Sequence, residues 1–90
     1  MHAVVVHVAI SDYEKARQSL HTDVIPGVSA APGFVTGYWL APVDGKGLSV
    51  VVFENEDAAR AMLALVQPGA HPSPSVTVES AEVREVAAHA

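Results

Sequence analysis

Ninety residues and 9.4 kDa are room for one domain, residues 1–90, and a chain that is 50% hydrophobic and only 17% charged is not a disordered tail or linker. A net charge of −5 with no run of Lys or Arg argues against nucleic acid or an anionic membrane as partner. The absence of cysteine excludes disulfides, thiolate nucleophiles and Cys-held metal centres, and an N-terminal apolar run that ends at Ser11-Asp12 is too short to span a bilayer, so a cytoplasmic location is expected.

Sixteen valines and fifteen alanines favour a mixture of strands and helices. Residues 2–10, with Val4-Val5-Val6-His7-Val8-Ala9-Ile10 at their centre, predict a first strand. Ser11 and Glu14 stand three apart, the spacing of a capping box, and Tyr13, Ala16, Leu20 and Val24 recur at helical spacing. A helix is therefore expected from Asp12. Pro26 should kink or stop it near Ile25, or open a second short piece over residues 28–31. Pro32-Gly33 leads into a second strand, residues 34–41. Asp44-Gly45 tolerates the positive φ of a hairpin turn, which pairs that strand with a third, residues 48–53. Asn55-Glu56-Asp57 joins a capping side chain to acids at the positive end of a helix. Ala58, Ala61, Met62 and Leu65 give that second helix its apolar stripe to about Gln67. A Pro-rich loop over residues 68–74 precedes a long last strand, residues 76–88, whose apolar parity shifts near Ser80-Ala81 and predicts a bulge.

The order βαββαβ predicts an α+β, ferredoxin-like fold with a four-stranded antiparallel sheet and two helices on one face. An antiparallel sheet with one wet face should alternate apolar and polar residues. These strands do not. Val4, Val6, Val8 and Ile10 alternate with Ala3, Val5, His7 and Ala9, and Leu48, Val50 and Val52 with Ser49, Val51 and Phe53. Two helices cover one face only, and the other would leave an apolar patch larger than monomers usually expose. The expected cover is a second copy related by a two-fold axis, a homodimer through the face opposite the helices.

Ala31-Pro32-Gly33-Phe34, Gly37-Tyr38-Trp39 and Val52-Phe53-Glu54-Asn55-Glu56-Asp57-Ala58 resemble the corresponding stretches of the dimeric α+β barrel superfamily. The likeness is in particular to its antibiotic-biosynthesis-monooxygenase-like members. The resemblance implies a small-molecule-binding dimer. One implied activity is a cofactor-free monooxygenase on an aromatic or polyketide-like substrate; the alternative is a non-catalytic ligand-binding or structural dimerisation module. Haem-degrading members carry an Asn on the first strand, with a Trp and a His around the second helix. At the comparable places this chain has His7, Met62 and His71, so no haem and no other cofactor is expected. Arg84, like Tyr38 and Trp39, has the chemistry that the quinone-forming oxygenases use around their pocket.

His7 is a polar residue inside an apolar strand, with a pKa suited to proton transfer; as a structural residue it would bond a neighbouring strand or Glu54. Tyr38 and Trp39 point to opposite faces of one strand, and either could orient an aromatic substrate or anchor the core or the interface. His7, Tyr38 and Trp39 are thus the candidate catalytic residues. His21 is either a surface residue of the first helix or, with Tyr13, lines the mouth of a pocket; the two join Met62 and Arg84 as candidate substrate contacts. No His pair has the spacing of a helical zinc site, so no metal is expected.

Overall fold

The computed structural model describes residues 1–90 as β1 (His2–Ile10), α1 (Tyr13–Ser19), a π-helical turn (Leu20–Val24), α2 (Ile25–Ser29), β2 (Phe34–Val43), β3 (Lys46–Phe53), α3 (Glu56–Leu63) and β4 (Val76–Glu85). The sheet is antiparallel throughout, with order β2-β3-β1-β4. The architecture is the α+β, ferredoxin-like arrangement that the element order predicts.

The first helix begins on a different cap from the one expected. Asp12, in extended conformation, accepts from the Lys15 N–H at 3.2 Å. Ser11 is held outside the helix, where its N–H donates to the Ser75 carbonyl at 2.9 Å and its hydroxyl reaches the same oxygen at 3.4 Å. Asp caps at least as well as Ser and its charge suits the helix N-terminus, so the capping box gives way. Pro26 does not stop the helix either. The backbone widens to a π turn just before it, with the Ile25 N–H donating to the Leu20 carbonyl. Proline has no N–H to give and crowds the carbonyl four residues back; an i→i+5 turn accommodates both defects.

The two-residue turn at Asp44-Gly45 has positive φ at both positions, 53° and 75°, as a type I′ hairpin requires. β2 and β3 therefore run up to the turn on both sides, further than expected. Asn55 caps α3 as its position suggests, its Oδ1 accepting from the Ala58 N–H at 2.8 Å. α3 ends at Leu63, four residues short of Gln67. Beyond Ala64, whose N–H still reaches the Arg60 carbonyl, the N–H groups of Leu65 and Val66 step back only three residues, and the Gln67 side chain donates to the Leu63 carbonyl at 2.7 Å. That bond satisfies a terminal carbonyl that another helical turn would have used. β4 ends at Glu85 rather than at residue 88. Its register against β1 shifts between His7/Ser80 and Val8/Val78, which leaves Glu79 as the extra residue, one position from the expected site.

Pairing fixes which residues share a face. Val4, Val6, Val51, Phe53, Val66, Val78 and Ala59 form the buried core, against which Val28 from α2, Ala31 just after it, and Ala58, Met62 and Leu63 from α3 also pack. Both helical stretches therefore lie on one face of the sheet. Phe53, 1% exposed, meets Phe34 edge to face with ring centroids 6.3 Å apart, a favourable quadrupole arrangement. The opposite face carries Ala3, Val5, His7, Tyr38, Leu48, Val50 and Val52. Tyr38 is 60% and Leu40 51% exposed. No helix is long and apolar enough to cross a membrane.

Candidate functional site

α2 and α3 approach the strands closely, whereas α1 and the π turn arch away from them. The space between is a cavity of about 1140 Å³, at or above the upper end of the roughly 300–1,000 Å³ usual for ligand sites. Of its 32 lining residues 21 are hydrophobic. Val6, Val8, Trp39, Ser49 and Phe53 form the sheet side, Leu20, Val24 and Val28 one wall, and Ala58, Ala61 and Met62 the other. The size follows from the side chains: Ala16, Ala31, Ala58 and Ala61 line it where a leucine would have filled it.

The candidate residues divide between two faces. Trp39 and Met62 line the cavity, with Tyr13, Arg17 and His21 at its helical rim. The Trp39 ring is fixed from below: an added Cβ on Gly37 would meet its Cη2 at 2.8 Å and its Cζ3 at 2.9 Å, so the indole lies directly on the glycine backbone. His7, Tyr38 and Arg84 are on the far side of the sheet. His7 pairs with Leu48 and Ser80, Tyr38 with Val50, and Arg84 with Ala3. His7 is exposed, not buried, because nothing in the chain covers that face. A single site built from His7 together with Trp39 is thus not formed within one chain. Arg84 is held in an ion pair with Glu82 at 3.2 Å on the same far face. His71 lies in the loop before β4, its Nδ1 3.2 Å from both the Val76 carbonyl and the Thr77 hydroxyl.

Two features escaped the sequence reading. Ser49, 8% exposed, is the only hydroxyl among the strand residues on the helix side of the cavity floor. It was visible as the lone polar residue in the alternation Ser49, Val51, Phe53. The second is a charged cluster at the start of α3. Arg60 Nε donates to Glu56 at 2.7 Å, and His2 Nε2 stands 3.8 Å from the other Glu56 oxygen. The hydrogen bond and charge of Arg60, with a smaller contribution from His2, hold the Glu56 carboxyl below its ordinary range. No three His, Asp or Glu side chains come together as a metal-binding group.

No protein-family model matches the chain, and neither a curated protein nor a solved structure is similar to it at a significant level. The fold and the cavity define the class: an α+β protein with an apolar chamber between its helices and its sheet.

Proposed function

We propose that the protein binds an apolar, aromatic small molecule in the chamber between α1, α3 and the sheet, and that two copies pair through the opposite face. Those are the features of the dimeric α+β barrel proteins of antibiotic-biosynthesis-monooxygenase-like type. The observation that carries the reading is the cavity itself. A hydrophobic chamber of this size in a 90-residue domain sacrifices packing that one or two larger side chains would supply. Binding without turnover is the better supported activity, because the one imidazole bordering the cavity, His21, is exposed on its rim, the strand floor offers only Trp39 and Ser49, and the remaining polar lining, Glu54, Asn55, Asp57 and Ser73, lies at the start of α3 and in the loop before β4. A cofactor-free monooxygenase is the second reading, favoured by Trp39 beneath the chamber.

Tetralin, a planar-ended bicyclic hydrocarbon, tests the reading. Trp39 is the only tryptophan, so its indole N–H gives one proton–nitrogen cross-peak. Saturable shifts of that peak and of the Ala58 and Ala61 amides are expected, weakened by Ala61→Phe. Shifts that stay linear to the solubility limit refute binding. Sedimentation at micromolar concentration tests the pairing, which a mass near one chain refutes. Oxygen uptake with a hydroxylated polycyclic substrate distinguishes turnover from binding.

A further inference from the structure

His7 is the odd member of the open face. On β1 it alternates there with Ala3, Val5 and Ala9, and its register partners are Leu48 on β3 and Ser80 on β4. β1 is an inner strand of the sheet, so the imidazole stands near the middle of the face, exposed to water. The charged groups that the strands place around it are Lys46 from β3 and Glu79, Glu82 and Arg84 from β4. They are already joined, Lys46 to Glu79 at 2.6 Å and Glu82 to Arg84 at 3.2 Å. Tyr38 on β2, opposite Val50, is the other titratable group of the face, and the helical stretches lie on the far side of the sheet. Two cations and two anions leave this face neutral in a chain of net charge −5, so a second copy of the same face meets no net charge at the contact.

The symmetry of such a contact decides what His7 meets. In a two-fold pairing, residues near the centre of the patch lie against their own copies. Two neutral imidazoles each carry one N–H donor and one acceptor nitrogen and can share a hydrogen bond, whereas two imidazolium rings have donors only. Protonated rings also repel each other and resist removal from water. We infer that two copies meet with their His7 rings beside the two-fold axis and that protonation of those rings releases the pair, so that the dimer forms at neutral pH and dissociates in mild acid. This rests on the pairing proposed above and adds its regulation. For rings that titrate near about pH 6.5 in water and must be neutral to pair, moving from about pH 7.5 to about pH 5.5 weakens association about tenfold per ring, roughly a hundredfold for the two.

Sedimentation equilibrium of the whole chain at those two pH values, with circular dichroism to check the fold at each, tests the switch. The wild-type dimer dissociation constant should rise roughly a hundredfold in acid. His7→Gln, which still forms hydrogen bonds but gains no proton, and His7→Phe, which keeps a ring, should each associate equally at both values. The chain has no cysteine, so His7→Cys introduces the only thiol, and mild oxidation should join two chains if their Cα atoms at this position come within about 7 Å. Equal wild-type association at the two pH values, or the same loss in acid for both substituted proteins, overturns the switch while leaving the pairing. Absence of the disulfide overturns the placement of His7 beside the axis. A wild-type mass of one chain at both pH values overturns the switch and the pairing together.

Discussion

Val50 and Val51 are neighbours in β3 with opposite duties, and aspartate at each separates the two faces of the sheet. Val51 is fully buried between Val4 and Gly37. Val51→Asp forfeits about 1.5–3 kcal/mol of apolar burial. A carboxylate there would shift its pKa upward by about 3–5 units, equivalent to roughly 4–7 kcal/mol. The sum, about 6–10 kcal/mol, rivals the whole stability of a domain this size, roughly 5–13 kcal/mol. Val50, half-buried on the open face beside Tyr38 and Val5, leaves a carboxylate room to reach water. Val50→Asp should keep the fold and, if two copies meet on that face, abolish their association. Circular dichroism with urea titration reads the first effect and sedimentation the second. A folded Val51→Asp would refute the assignment of faces; a Val50→Asp protein that still sediments as a dimer would refute pairing through this sheet.

Gly37→Ala drives a methyl to within 2.8 Å of the Trp39 ring; overpacking should cost about 1–3 kcal/mol, partly offset by about 0.5–1 kcal/mol of backbone gain, with a shift in tryptophan emission. Unchanged emission and stability would show that the ring does not rest there. Asn55→Ala removes the cap of α3 and should cost about 1 kcal/mol, lowering Tm by about 4–8 °C; an unchanged melt contradicts the cap. Glu56 has a depressed carboxyl pKa, so its contribution is present above the ordinary carboxylate range and is lost as pH falls through the lowered value. Arg60→Ala should move the Glu56 titration, followed by carbon NMR, back upward, and an unmoved midpoint would deny Arg60 that role. His7→Phe should leave tetralin binding unchanged and alter only association, since the ring is on the far face; lost tetralin binding would contradict that placement.

Local signals were the legible ones. Asp-Gly at the hairpin, Asn55 before α3 and the parity shift in β4 are each decided within a few residues, and each is found at or beside its expected place. The two-sided apolar strands also announced a sheet with an uncovered greasy face. What could not be read was which parity faces the helices. In β1 the two sets, Val4/Val6/Val8 and Ala3/Val5/Ala9, are both apolar, so the alternation that normally orients a strand is missing. His7 and Trp39 were grouped for that reason, and pairing separates them. The π turn was hidden for a different reason: Pro26 forbids an ordinary helical bond but does not dictate whether the chain breaks or widens. Ser49 was passed over because one serine in a valine-rich strand carries little weight until its burial and its opposite neighbour are known.

The bulge at Glu79 ties these faces together. In an unbroken β4, Val78 would share its face with Ser80, Glu82 and Arg84, and the ion pair of the last two would point into the core. One extra residue reverses the parity. Val78 then joins Ala81 and Val83 against the helices, while Ser80, Glu82 and Arg84 pair with His7, Val5 and Ala3 on the open face. The displaced Glu79 is held by Lys46 at 2.6 Å. The consequence reaches beyond the core. The open face is mainly apolar over β2, β3 and β1, with His7 exposed within it, and charged along β4. The same register keeps Glu82 and Arg84 off the helix side of the sheet, and Glu85, which shares the parity of Val83, stands beside His2 at the end of the strand pair. A single inserted residue thus sets the Glu82–Arg84 pair on one face of the sheet and leaves the cavity on the other, the two faces that the proposed pairing and the proposed ligand would use separately.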